Sequence, residues 1–445
     1  MATPLNEGIF PMQLLNTLGL HRKELRAWAM YDWANSAFTT TIMAAVLPIY
    51  YADVAAADLP ENIRTAYWGY TTGFGLLLIA IASPLLGAIA DLFGKKKTYL
   101  FWFTLAGAVT TAMLATVYRG DWLWASGLFL VANIGWAGAN VFYDSLLPSI
   151  ANHDEVDRVS TAGYAMGYLG GGLLLLLNLA WILKPEMWGF ADKGAAVRMS
   201  FISVAVWWVV FTYPLMRHVK EPLATGKSLT GSALTLGFRQ LAATFKEVRQ
   251  YKQVMIFLVA YWFYTDGIGT IIKMATIYGR EIGIGSTDLI GALLLVQFLG
   301  MPATFAFGVI AKRLGAKASI MLTLIVYTGI CLLGFAMTEA WHFWILSGLV
   351  ALVQGGSQAL SRSLYATMVP SHQASEFFGF VSVSARFAGI LGPIMFGLVS
   401  QFSGESRLSI LFLVSFFVIG MVLLARVDID EAKRVARAAE QKAGV

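Results

Sequence analysis

The chain has 445 residues, of which 58% are hydrophobic and 13% charged, against roughly 45–50% and about 25% in an ordinary soluble domain. A mean hydropathy of +0.66 excludes a water-soluble enzyme, because even a multidomain soluble protein must clothe most of its surface in polar side chains. The net charge of +6 would suit an anionic partner in a soluble protein, but in a lipid-covered chain it has first to be read as topology.

At the amino terminus the apolar residues Ile9, Phe10, Met12, Leu14, Leu15 and Leu18 precede the basic cluster Arg22, Lys23 and Arg26. A secretory signal has the reverse order, so 1–26 is predicted to be a cytoplasmic tail. Long apolar runs follow at 27–51, 65–90, 98–117, 122–143, 161–183 and 197–216, and again at 253–276, 288–311, 318–337, 341–363, 377–401 and 407–426. Each reaches the length of about 20 residues that a crossing needs. The chain is therefore predicted to be an all-α polytopic membrane protein of twelve transmembrane helices. Its parts are an amino-terminal six-helix half over 27–216, a linker over 217–252, a carboxy-terminal six-helix half over 253–426 and a cytoplasmic tail over 427–445.

With the amino terminus inside, 22 of the 32 Lys and Arg residues fall on the inner side and 7 on the outer, while Lys273, Arg362 and Arg386 lie within spans. This excess places both termini in the cytoplasm of a cell (inner) membrane. It also accounts for the net charge as sidedness and contact with membrane lipid, so no nucleic-acid partner is implied. In the linker, Leu234, Phe238, Leu241, Phe245 and Val248 recur at helical spacing among charged residues. That pattern fits either an amphipathic helix on the inner leaflet or a solvated connector. Gly226-Lys227-Ser228 ends like a phosphate-binding loop, but Glu221 stands where that loop needs glycine, and nucleotide binding is rejected.

The lone cysteine, Cys331, has no partner for a disulfide or a thiolate metal site, and the five histidines fall at span ends or in loops. Neither a metal nor a cofactor is implied.

The halves repeat one another. Gly87-Ala-Ile-Ala-Asp91-Leu-Phe-Gly94-Lys95-Lys96-Lys97 returns as Gly308-Val-Ile-Ala-Lys312-Arg313-Leu-Gly315-Ala-Lys317, displaced by 221 residues. Gly167-Tyr-Leu-Gly170 returns as Gly389-Ile-Leu-Gly392, displaced by 222, and a weaker echo at 234 joins Trp28-Ala-Met-Tyr-Asp32 to Trp262-Phe-Tyr-Thr-Asp266. Two six-helix halves of the same hand follow, with a solute site expected where they meet.

The first of these loops resembles the Gly-x-x-x-Asp-x-x-Gly signature of the major facilitator superfamily. Three further runs resemble its vacuole effluxer-like, autophagy-related branch. They are Trp28-Ala-Met-Tyr31-Asp32-Trp33-Ala34-Asn35-Ser36-Ala37-Phe38, then Asp266-Gly267-Ile268, then Gly355-Gly356-Ser357-Gln358-Ala359-Leu360-Ser361-Arg362-Ser363-Leu364-Tyr365. The resemblance covers essentially the whole chain, and characterised members of that branch imply amino-acid efflux. Gly163-x-x-x-Gly167-Tyr168-x-x-Gly171-Gly172 resembles the superfamily's antiporter motif, with Tyr168 where the motif has proline. Close helix packing explains these glycines without any functional claim and is the favoured reading.

Ionisable groups inside a span cost about 2.5–3.5 kcal/mol at the helix centre on insertion scales and ordinarily face the bundle interior. One stripe in span 1 carries Asp32, Asn35, Ser36 and Thr39. Span 4 carries Asn133, Asn140 and Asp144, span 7 carries Asp266 and Lys273, and span 10 carries Gln354, Gln358, Ser361, Arg362 and Tyr365. Arg386 stands one turn from Gly389 in span 11. These residues predict a polar cavity holding both signs of charge, in which Asp32 or Asp266 receives an ammonium and Arg386 or Lys273 a carboxylate. The competing reading makes Asp266 and Lys273 an internal ion pair that only fixes packing. Asp32, whose span has no basic residue beyond Arg26, is the candidate for loading and unloading a proton. At the loops the charge signs are exchanged between halves, which predicts a latch built on Gly87, Asp91 and Gly94, with Asp91 pairing Arg362 and Lys312 pairing Asp144.

Together these features predict a secondary transporter that moves a small polar solute by alternating access, coupled to a proton or another ion. The alternative is a transporter-like receptor that binds a solute without net transport. An intramembrane enzyme ranks third and last, since no His-Glu-x-x-His run occurs and no serine sits in a Gly-x-Ser-x-Gly elbow.

Overall fold

A computed structural model describes residues 20–93, 95–151, 156–220, 245–370 and 387–443, with isolated positions at 15, 242, 377, 381 and 384. Within the described residues every regular element is helical. They run in chain order as α1 (Lys23–Ala55), α2 (Glu61–Phe93), α3 (Lys96–Met113), α4 (Trp122–Ile150), α5 (Val156–Leu183) and α6 (Lys193–His218). Then follow α7 (Lys252–Glu281), α8 (Ser286–Leu314), α9 (Ala316–Phe335), α10 (Ala340–Ala366), α11 (Leu391–Ser403), α12 (Ser406–Ala425) and α13 (Ile429–Ala443).

Ten of these helices are long and apolar enough to cross a bilayer, and α8, bent by 43° where Pro302 interrupts the backbone ladder, makes up to eleven. The expected eleventh span begins among residues outside the described set, so only its apolar second part, α11, is seen. A count of ten to eleven crossings among the described residues is consistent with twelve. Most of the linker's expected amphipathic stretch also lies outside the described residues.

The ends of several helices follow from local chemistry. Asp192 caps α6 by accepting the Ala195 N–H at 2.7 Å, and Glu339 and His342 form a reciprocal box at the start of α10. At the far end of α12, Lys317 Nζ donates to the carbonyls of Ala425 (2.9 Å) and Val427 (2.7 Å), two acceptors that no helical N–H can reach. Inside α1 the ladder changes pitch. Residues Phe38–Ala45 are π-helical, and just there Thr39 Oγ1 donates to the Ser36 carbonyl at 2.9 Å in a run of three threonines. Hydroxyl competition for i−3 and i−4 carbonyls, together with β-branched crowding, loosens the α ladder.

The described contacts divide the chain into two compact units. The first comprises Met1–Ile42, Leu86–Ala115 and Gly135–Ser228. Here α1 packs on α5 and α6, and α3 on α6, around the fully buried Tyr31, Phe142, Phe201 and Trp208. The second comprises Met43–Leu85, Thr116–Ile134 and Leu229–Val445. In it α7 packs on α11 and α12, α8 on α10, and α9 on α10 and α12, around Trp68, Tyr264, Tyr278 and Tyr327. The pairs α1–α5, α1–α6 and α3–α6 recur six helices later, which is the sequence repeat expressed as packing. Large apolar side chains such as Trp102, Val206 and Ile325 stay more than half exposed, as a lipid-facing surface requires.

Within the second unit, residues of α1 and α2 are tied to α7, α11 and α12. Arg280 pairs with Asp53 at 2.5 Å. Glu281 accepts from Thr65 and from Ser406 Oγ (2.6 Å). Ser400 Oγ donates to the Asn62 carbonyl at 3.1 Å, and Trp68 Nε1 to the Lys273 carbonyl at 3.2 Å.

Candidate functional site

In the first unit the site is built on the opening turns of α1. Asp32 Oδ2 accepts from Tyr143 Oη of α4 at 2.9 Å, and Asn35 Nδ2 reaches Asp32 Oδ1 at 3.5 Å while holding the Tyr31 carbonyl at 2.9 Å. Trp136 Nε1, also on α4, donates to Asn35 Oδ1 at 3.2 Å. Asn140 stands between Trp136 and Tyr143, four residues after one and three before the other, and so on the face of α4 that meets α1. Tyr143 is itself fixed: Trp28 stacks on it with centroids 4.3 Å apart, and Trp28 Nε1 donates to its carbonyl. From α5, a Cβ placed on Gly163 would fall 2.5 Å from Asp32 Oδ2. Among the described residues no Lys or Arg pairs with Asp32.

The second unit holds Asp266 in another way. It is 3% exposed, and both its oxygens accept the backbone N–H of Gly392 at 3.0 Å. Only glycine lets α11 come this close, since a Cβ there would meet Asp266 Oδ1 at 2.7 Å and overlap Thr270 Oγ1. Lys273, seven residues on, shares the face of α7 at about 10 Å along the axis. The two form no ion pair among the described residues, where the bridges are Arg119–Asp58 and Arg280–Asp53. The Lys273 ammonium is half-buried and makes no hydrogen bond or ion pair among the described residues. It sits beside Gly269 and Gly389, in the space their missing side chains leave.

The expected polar stripe of α10 divides. Ser361 and Tyr365 are buried, the former bonded to Tyr264 at 2.6 Å, whereas Gln358 and Arg362 are exposed. Gln354 is half-buried, with its Oε1 shielded and unbonded. Of the expected latch, Asp144, Lys312 and Arg362 are exposed near helix ends. Gly87 lies in α2. The Asp91 side chain, Gly94 and Arg386 lie outside the described residues.

Packing also shows that the weaker echo does not make Asp32 and Asp266 equivalent. Gly392 corresponds by the 222-residue displacement to Gly170, and a Cβ on Gly170 would meet the Trp33 carbonyl at 2.6 Å, not Asp32. The packing counterpart of Asp266 is thus the stretch beginning at Trp33. Tyr143 and the Gly392 N–H, the strongest partners of the two acids, were not expected from sequence. Tyr143 lies three residues after Asn140 on the same side of α4, but an aromatic residue in a span carries no sign that its hydroxyl meets an acid, and a backbone donor leaves no mark in composition.

The family described as "Vacuole effluxer Atg22 like" matches residues 20–437. The chain is 37% identical over 417 residues to an uncharacterized MFS-type transporter, YxiO, of Bacillus subtilis (strain 168), covering 93% of this chain and 97% of that protein. It is 25% identical over 426 residues to autophagy-related protein 22 of Saccharomyces cerevisiae (strain ATCC 204508 / S288c), covering 84% and 79%. Among solved structures, a variant of the nucleoside transporter NupG aligns at a TM-score of 0.66 with 14% identity, over 91% of this chain and 99% of that one. A bacterial homolog of the human lysosomal transporter Spinster, inward-facing and unoccupied, aligns at 0.62 with 13% identity, over 97% and 98%. These relatives are transporters and not enzymes, and at such identities the structural likeness speaks for the fold.

Proposed function

The chain belongs to the vacuole effluxer Atg22-like family and is a multi-pass membrane transporter of the major facilitator type; from that premise we propose that it moves a small polar solute bearing a carboxylate, coupled to a proton. The observation that carries this reading is the Lys273 ammonium, half-buried in a span and in no direct ion pair among the described residues, where Asp266 attracts it only across the turns of α7 that separate them. A cation left so in a low-dielectric setting is costly unless a ligand completes it. A carboxylate does so through charge-assisted hydrogen bonds, and an amino acid, the solute of characterised fungal relatives by family resemblance, supplies one. Asp32, bonded only to neutral donors, can exchange a proton without breaking an ion pair. Placement in the cell membrane with both termini cytoplasmic fits the excess of Lys and Arg on one side, and export is what the resemblance to the effluxer family implies.

Counterflow in proteoliposomes tests the reading, with labelled amino acids as the first candidates. A transporter exchanges the label across the membrane, whereas a receptor binds it without exchange. Lys273→Gln should raise the half-saturating solute concentration about tenfold or more, the value of one hydrogen bond to a charged group, with thermal stability unchanged. A lowered melting temperature with unaltered saturation would make Lys273 a packing residue instead.

A further inference from the structure

Where α9 begins and α12 ends, the second unit forms a cleft of about 910 Å3 between α9, the end of α10 and α13. One wall is apolar. Leu314, Met321, Leu322 and Ile325 line it, and three of them are strongly exposed, at 57% for Leu314, 39% for Leu322 and 56% for Ile325. Its other end is polar and takes Lys317, Asp430 and Lys433. The order along α9 matters: Lys317, Met321 and Ile325 follow at four-residue spacing on one stripe. The lining therefore changes from charge to hydrocarbon over about 12 Å, eight residues at 1.5 Å each.

This gradient runs from the end of a span into the span itself. It is the gradient of a phospholipid, whose phosphate lies at the interface and whose acyl chains lie beneath. A free anion would occupy the polar end alone and leave the apolar wall uncovered. The polar groups also fit in number. Lys317 gives two of its three N–H donors to the Ala425 and Val427 carbonyls, leaving one for a ligand. Neither Lys433 nor Asp430 forms an ion pair among the described residues. Two cations and one carboxylate leave the cleft with one net positive charge, complementary to a lipid of charge −1. Asp430 adds an acceptor for a headgroup hydroxyl.

We propose that this cleft binds a phosphatidylglycerol molecule. Its phosphate sits on Lys317 and Lys433, its headgroup hydroxyls face Asp430, and an acyl chain lies along Met321, Leu322 and Ile325. Such a lipid would hold α13 against α9. That helix is already placed by Gln253, which accepts the Asp428 N–H at 2.9 Å and donates to Glu431.

The test uses the full-length protein in nanodiscs of equal phosphatidylglycerol and phosphatidylcholine, with the lipid retained after extraction counted by native mass spectrometry. Phosphatidylglycerol should be retained in preference. Lys433→Gln should lower its retention about fivefold, the worth of one basic residue at an anionic surface, and Lys433→Arg should preserve it. Phosphatidylglycerol carrying a diazirine in its acyl chain should label the peptide containing Met321 and Ile325. Equal retention of the two lipids, no loss in Lys433→Gln, or labelling confined to other spans would each overturn the proposal. So would displacement of the lipid by excess inorganic phosphate, which would mark the polar end as a site for free anions.

Discussion

The two intramembrane acids of this transporter are held in opposite ways. Asp266 is clasped by a backbone N–H, so its partner cannot leave without moving α11. Asp32 is met by side-chain donors, Tyr143 and Asn35, and a turn of the Asp32 side chain about its own torsions exchanges them while the helices stay in place. The first arrangement welds two helices together. The second leaves an acid whose partners can change during a cycle, which is what a proton carrier needs.

That contrast can be broken most decisively at Asp32. Asp32→Asn should abolish solute movement driven by a proton gradient while counterflow continues, and gradient-driven transport that survives the change would remove Asp32 from coupling. The next largest effect is expected at the welded acid's neighbour. Gly392→Ala forces a methyl against Asp266 and Thr270 and should lower stability by about 1–3 kcal/mol, the usual penalty of overpacking. Thermal unfolding in detergent reads this, and an unchanged melting temperature would mean that α11 is not fixed by Asp266. Smallest is Tyr143→Phe. It removes one hydrogen bond to Asp32 and leaves the ring in place on Trp28, a loss of about 1 kcal/mol for a bond to a neutral carboxyl. Its signature should be slower gradient-driven transport with little change in melting temperature, and a large loss of stability would assign Tyr143 to packing instead.

Much of the fold was legible because hydropathy is read one segment at a time. The apolar runs depend on residues close in sequence, and among the described residues the helices fall where those runs do. The placement of Asp32, Asn35, Asp266 and Lys273 on helical stripes needed only the helical period. What stayed hidden depends on contacts between distant residues. The Tyr143 bond to Asp32 spans 111 positions, and spacing alone put Gln358 and Arg362 with Ser361, although packing against α7 buries only the serine. The 15-residue helix α13 was also missed. Its buried Ala432 and Ala436 are too small to stand out beside Lys433, Arg434 and Arg437.

Lys273 joins two things that are otherwise separate. Its side chain is the proposed seat of the solute's carboxylate, and its carbonyl takes the indole N–H of Trp68 from α2. One residue therefore reports on both ligand occupancy and the tie between helices, and thermodynamic linkage makes the report mutual. If the solute favours the tied form by some factor, cutting the tie must weaken the solute by that same factor. Binding measured on Trp68→Phe would then give the coupling between the solute and this tie from an equilibrium experiment, with no rate measured at all.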